Sequence, residues 1–155
     1  MSYRISHKVR TISEGRRQQL SSRKDAGEPS NRKKPMGDRE VRAILESDTS
    51  VMSVTVLDMK GGVSSVARSG RLPKGEQADQ QTIQQLGTIG TIIIGAAERA
   101  EGLFGASEFI LGTFKNGKIL LIKMPDYESA LAVRLSRSAN TEHVFAKITG
   151  ILARD

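Results

Sequence analysis

The sequence predicts an α+β fold of the layered α/β kind: a five-stranded, mostly antiparallel sheet with a long central helix and two shorter helices. Three observations predict it. Short β-branched, alternating runs fall into two groups, within 51–67 and 109–135. One long apolar segment with helical spacing, 80–101, separates the groups, and shorter helix-period segments stand before the first and after the last. Two strand meanders divided by a single helix call for an antiparallel sheet with helices laid on it.

Taken in order, Asp38 is placed to cap a first helix over 38–47, with Val41, Ile44 and Leu45 as its buried stripe at i, i+3 and i+4. Val51 to Leu57 alternates as a strand, with Met52, Val54 and Val56 on one side. Asp58-Met59-Lys60-Gly61-Gly62 turns the chain and Val63 to Ala67 returns as a second strand. Ser69 to Asp79, with Gly70, Pro73 and Gly75, reads as a loop. After the long helix, Phe109 to Phe114 and Ile119 to Met124 form a hairpin joined by Lys115-Asn116-Gly117-Lys118. Asn-Gly between apolar runs is a strong hairpin signal because both turn positions of a type I′ turn need positive φ. Ser129 to Leu135 is the fifth strand. Asn140 then caps a last helix whose stripe is Val144, Phe145, Ile148, Ile151 and Leu152.

The central helix carries the functional question. Projected at about 100° per residue, the apolar positions of 80–101 cover an arc of roughly 200°. One sheet needs a stripe of only about 100°. The surplus points to a second buried face, supplied by another chain or by other elements of this one. Gly87, Gly90, Gly95 and Ala97 leave room for a close backbone approach, and each glycine costs up to about 1 kcal/mol against Ala, so something must compensate.

Of the 24 basic and 17 acidic residues in the 155-residue chain, ten and three lie in 1–36. The whole net charge of +7 therefore sits in that segment, and the remainder, with 14 of each, is neutral. A domain that reads nucleic acid with its folded face carries the basic patch itself, so any anion binding belongs to the tail. Residues 1–36 read as a basic, disordered extension and 37–155 as one folded domain. Within the tail, Arg16, Arg17, Arg32, Lys33 and Lys34 are the candidate contacts for an anionic membrane, an acidic protein or nucleic acid. Ile5, Val9 and Ile12 recur at helical spacing and could form a short basic amphipathic helix on such a surface. Met36 could itself begin a complete domain.

The chain has no Cys, which excludes a disulfide framework, thiolate chemistry and Cys-ligated metals. Its longest apolar stretch, Ile89 to Ala97, is far short of the roughly 20 residues that cross a bilayer. No apolar core follows the N-terminal charges as it would in a secretory signal, so a soluble, cytoplasmic protein is expected. Residues 112–118 have P-loop spacing, but Ile119 stands where Ser or Thr is required and a strand follows in place of a helix. Gly102-Leu103-Phe104-Gly105 has the GxxG form of an RNA clamp, yet its centre is apolar and basic residues are missing around it; a helix stop and turn explains it better. His7 and His143 share no metal-ligand spacing, and His143 lies on the polar side of its helix. The sequence thus calls for no cofactor, no metal and no catalytic residues.

The succession of elements in 38–152 resembles the roadblock/LC7 family, particularly the roadblock-like proteins widespread in archaea. The resemblance is carried by the opening hairpin VMSVTVLDMKGGVSSVARSG, the Gly- and Ile-rich helix QTIQQLGTIGTIIIGAAERAE and the hairpin EFILGTFKNGKILLIKM, with the short helices at either end. Longin and profilin-like domains share related layouts. The resemblance implies a dimer, of the chain with itself or a paralogue, in which the central helix and the third strand meet their counterparts. On this sequence those contacts are Ile83, Gly87, Gly90, Ile92, Ile94 and Ala96 of the helix, with Phe109, Leu111 and Thr113 of the strand. It further implies a platform or regulator for small Ras-like GTPases, or an adaptor in a larger assembly, without catalytic residues of its own. The long basic tail departs from the minimal domain.

Overall fold

The computed structural model describes residues 34–76 and 79–154. The expectations placed on the tail, including Arg16, Arg17, Arg32 and Lys33, lie outside the described residues. Lys34 is described, with its ammonium 3.8 Å from the Glu40 carboxylate.

The chain runs α1 (Asp38–Glu46), β1 (Val51–Asp58), β2 (Val63–Arg68), α2 (Gln80–Phe104), β3 (Ile110–Phe114), β4 (Gly117–Met124), β5 (Ser129–Leu135) and α3 (Thr141–Leu152), with short 3-10 turns at Lys74–Glu76 and Pro125–Tyr127. The strands form one sheet in the order β2-β1-β5-β4-β3, and every neighbouring pair is antiparallel. Among the described residues β2 and β3 are its edges.

Strand alternation sends side chains to two different layers. Val54 and Val56 of β1, Leu120 and Ile122 of β4, and Leu131 and Val133 of β5 meet Val41 and Ile44 of α1 and Val144 and Ile148 of α3 in the larger core. On the opposite face, Leu57, Leu121, Ala130 and Ala132 meet Ile94 of α2 in the smaller one. Two helices therefore cover one face and α2 alone covers the other. The small alanines of β5 let the long helix settle onto the sheet.

Several local expectations are corrected. The register of β1 against β5 shifts between Val51 and Ser53. This irregularity puts Val51, in place of Met52, in the larger core with Val54 and Val56. The N-cap of α1 is Gly37, with Asp38 in the first turn and no side-chain cap bond. The β3–β4 loop is only Lys115-Asn116, because Gly117 already pairs with Phe114 as the first residue of β4. Among the described residues Glu128 is the one non-glycine residue with positive φ, so Asn116 does not take the type I′ conformation. Glycine is needed at 117 for another reason: a β-carbon there would stand 2.8 Å from the Leu135 carbonyl oxygen. Finally, α2 continues through Gly102 and stops at Gly105, whose φ of 87° suits glycine. Asn140 caps α3 as expected, its side chain accepting from the His143 amide at 3.1 Å.

Candidate functional site

The α2 helix is 25 residues long and is capped by Asp79, whose side chain accepts from the Thr82 amide at 2.7 Å. That bond holds the Asp79 carboxyl below its ordinary value. Ile83, Gly87, Gly90 and Ile94 are buried against the chain's own sheet. A β-carbon on Gly90 would stand 2.7 Å from Cδ1 of Leu57 and 3.8 Å from Cδ2 of Leu121. One flank is fixed by Thr88 and Thr91, whose hydroxyls reach the carbonyls of Gly61 and Asp58, each at 3.5 Å. Further along, Lys123 of β4 donates to Glu98 at 2.5 Å, and this bond raises the Lys123 pKa.

The sheet thus uses up one part of the wide apolar arc. The rest turns away from the buried face of the helix, where Ile89, Ile92 and Ile93 are 54%, 66% and 39% exposed and Ala96 is also exposed. The stripe ends in Leu103 and Phe104, at 83% and 86% exposed. Scattered exposed apolar residues are ordinary, whereas a continuous run of large ones marks a contact surface.

The edge strand β3 pairs with β4 alone among the described residues. Phe109, just before it, is half-buried and packs against Phe145 of α3, the rings tilted with centroids 4.8 Å apart. Leu111 and Thr113 are exposed, as is Phe114 at the end of the strand. An unpaired apolar edge is a template for another strand.

Of the residues expected to meet a second chain, Ile83, Gly87, Gly90 and Ile94 instead serve the core of their own chain. Phe109 is engaged by α3. Ile92, Ala96, Leu111 and Thr113 remain open. Ile89 and Ile93 lie outside the contact set expected from the sequence, and Leu103 and Phe104, expected in the middle of a turn, belong to α2. The apolar spacing of three and four residues, continuing past Gly102, was the signal that could have found them.

Beside the first turns of α2 lies a cavity of about 280 Å³. Val66, Leu72, Ile83, Leu86, Phe114 and Ile119 give it apolar walls. Ser53, Arg68 and Arg134 also line it, and they form one cross-strand row, since Ser53 pairs with Arg68 on β2 and Arg134 on β5. At the opposite face a polar cleft is lined by Asp48, Ser50, Ser136, Asn140 and His143, among others. There His143 is solvated and its Nε2 is 4.0 Å from Asp48, whose carboxylate is engaged by Lys147 at 2.7 Å. Among the described residues no group of three or more His, Asp or Glu could hold a metal ion, and no helix is long and apolar enough to cross a membrane.

Sheet order and helix placement define an α+β domain of the roadblock fold. No protein-family profile matches the sequence, and no curated protein does. Solved structures do match. A Roadblock/LC7 domain from Streptomyces avermitilis shares 13% identity over 76% of this chain and 92% of that one, with a TM-score of 0.61. The gliding protein MglB from Thermus thermophilus shares 12% over 83% and 100%, with a TM-score of 0.56. An MglB with a tetrameric arrangement shares 16% over 83% and 90%, with a TM-score of 0.57. The chain carries a roadblock-like domain.

Proposed function

We propose that this protein is a non-enzymatic scaffold or regulator that works as a homodimer and engages a small Ras-like GTPase or a larger signalling or trafficking assembly. One observation carries the reading: α2 exposes an apolar stripe, with Ile89, Ile92 and Ile93, over a sheet whose edge strand β3 pairs with β4 alone among the described residues. A second copy can cover both at once, removing apolar surface from water at about 25 cal/mol per Å² and completing the strand's hydrogen bonds. The tetrameric arrangement described for an MglB of the same fold supports self-association. Engagement of a GTPase is argued from the roadblock-like fold alone, which sites many functions on one scaffold.

Light scattering on the wild type and on Ile92→Asp tests the assembly. The expected result is a dimer at micromolar concentration that the substitution converts to monomer, and a wild-type monomer would reject it. Capture of a Ras-like GTPase by the wild type but not by Ile92→Asp tests the partner; equal capture would show that the partner does not need the dimer.

The charge distribution favours a second reading, in which the domain dimerises and the tail tethers it to nucleic acid or an anionic membrane surface. The entire +7 lies within 1–36, and such binding weakens steeply with salt. Deleting residues 1–35 separates the two: salt-sensitive binding that vanishes with the tail supports tethering, while GTPase capture that survives the deletion supports the first reading.

A further inference from the structure

Building on the dimer reading, we propose that the cavity beside the first turns of α2 is a socket, filled by Leu103 and Phe104 from the α2 helix of a second copy. The site is incomplete in one chain and closed by two.

Symmetry fixes the direction. Homodimers are overwhelmingly two-fold, so the same surface meets itself. If the sheet continues through β3 into a second copy with both α2 helices on one face, the two-fold axis stands perpendicular to the sheet. Both the paired β3 strands and the two α2 helices then run antiparallel. A two-fold axis along β3 would put the helices on opposite faces, where their exposed stripes could not meet.

The spacing of the stripe fixes the register. Leu86, Ile89, Ile93, Ala96, Ala100 and Leu103 follow one another at alternating intervals of three and four, and Thr82 extends the pattern backwards. That is the seam of a heptad repeat, whose helices cross at about 20° and stay in contact along their length. All six side chains are exposed or only partly buried in the single chain, so none is needed by its own core to the exclusion of a partner. The pattern from Thr82 to Leu103 is centred between Ile92 and Ile93. Antiparallel copies related about that centre set Ile89 against Ala96, and Thr82 against Leu103.

Thr82 and Leu86 also line the cavity. The register that matches the seam therefore delivers Leu103, with Phe104 next to it, to the cavity's mouth. These are the two most exposed large apolar side chains described, at 83% and 86%. The socket they meet has Phe114 on one wall, itself 57% exposed. At about 280 Å³ it is slightly smaller than the ~300–1,000 Å³ typical of small-molecule pockets, and it suits a phenyl ring with a neighbouring isobutyl group. An exposed knob and an open socket at symmetry-matched positions make one self-complementary contact, formed twice per dimer.

The test uses the full chain, which contains neither Cys nor Trp. Chains carrying Thr82→Cys and Leu103→Cys are mixed and oxidised, and Phe104→Trp is followed by its emission as concentration is raised. The proposal expects a disulfide between the two different variants in preference to either one with itself, since bridging needs Cα atoms about 4.4–6.8 Å apart. It also expects indole emission to move to shorter wavelength in step with dimer formation. If the protein is dimeric by light scattering but either the mixed disulfide or the emission shift is missing, the socket is rejected and the dimer stands. Short-wavelength emission already present in the monomer rejects it too, because the residue would then be packed by its own chain. A protein that stays monomeric at all concentrations rejects both.

Discussion

Gly87 of α2 and Gly61 of the β1–β2 turn approach backbone to backbone: a β-carbon on Gly87 would stand 3.0 Å from the Gly61 carbonyl oxygen and 2.9 Å from Cγ2 of Val63. The same turn receives the Thr88 and Thr91 hydroxyls. Glycine at 87 thus seats the long helix on its own first hairpin, and the cost of glycine in a helix is offset by a contact within one chain.

Gly87→Ala is expected to destabilise the domain by about 1–3 kcal/mol, because a backbone oxygen cannot yield as a flexible side chain can. Gly95→Ala is expected to do the reverse. No atom lies within 4 Å of a β-carbon at 95, so the substitution gains helix propensity of up to about 1 kcal/mol without a clash. Urea unfolding followed by circular dichroism should move the two midpoints in opposite directions. Midpoints that both rise would mean that propensity outweighs the close approach.

Two neighbouring isoleucines separate folding from assembly. Ile94 is 2% exposed and packs with Leu57 and Leu121, whereas Ile92 is 66% exposed. Ile94→Ala should cost about 2–5 kcal/mol of stability through the cavity it leaves. Ile92→Asp should leave the unfolding midpoint of dilute protein nearly unchanged while lowering the mass measured by light scattering. If Ile92→Asp unfolds the chain instead, the outer stripe belongs to the core.

This pair also shows where sequence reading stopped. Strand alternation in 51–57 and 129–135 and the Asn140 cap are local, and the element order follows from them. The wide arc of α2 was legible as an excess of apolar surface, but it holds two stripes that differ only in what they face. Ile94 and Ile92 look alike until the sheet takes one of them. Gly87 and Gly90 offer close approach equally to a partner or to Leu57 and Gly61, and only tertiary contacts decide. The shift at Val51 depends on how β1 pairs with β5, and the cavity gathers residues from β2, α2 and the β3–β4 hairpin. Neither can be read from a window along the chain.

Acid should weaken the junction between α3 and the turn after α1. The Asp48 carboxyl is held far below its ordinary 3.8, first by the Lys147 ammonium at 2.7 Å and then by the Ser50 amide at 2.9 Å and hydroxyl at 2.7 Å. A carboxyl whose pKa is lower in the folded state contributes stability above its unfolded value and loses it as pH falls towards the folded one. The wild type should therefore lose stability more steeply than Asp48→Asn below about pH 5, and the two should converge in strong acid. At neutral pH the difference should be about 1 kcal/mol, modest because Lys147 is 38% exposed. Parallel pH profiles from urea unfolding would show that the pair adds nothing.

Thr141 opens α3 directly after its cap and is 8% exposed, yet its hydroxyl oxygen is buried without a hydrogen-bond partner among the described residues. A buried polar atom left unpaired costs about 1–3 kcal/mol. Thr141→Val keeps the shape and the β-branch, so the backbone preference of the first helical turn is unchanged. It exchanges the hydroxyl for a methyl on the buried face of α3 that Val144 and Ile148 share, and those two belong to the larger core. The substitution should raise stability by about 1 kcal/mol in urea or thermal unfolding, with no change in the mass of the assembly, since α3 lies across the sheet from α2. A loss of stability would show instead that the hydroxyl makes a hydrogen bond on which the start of α3 depends.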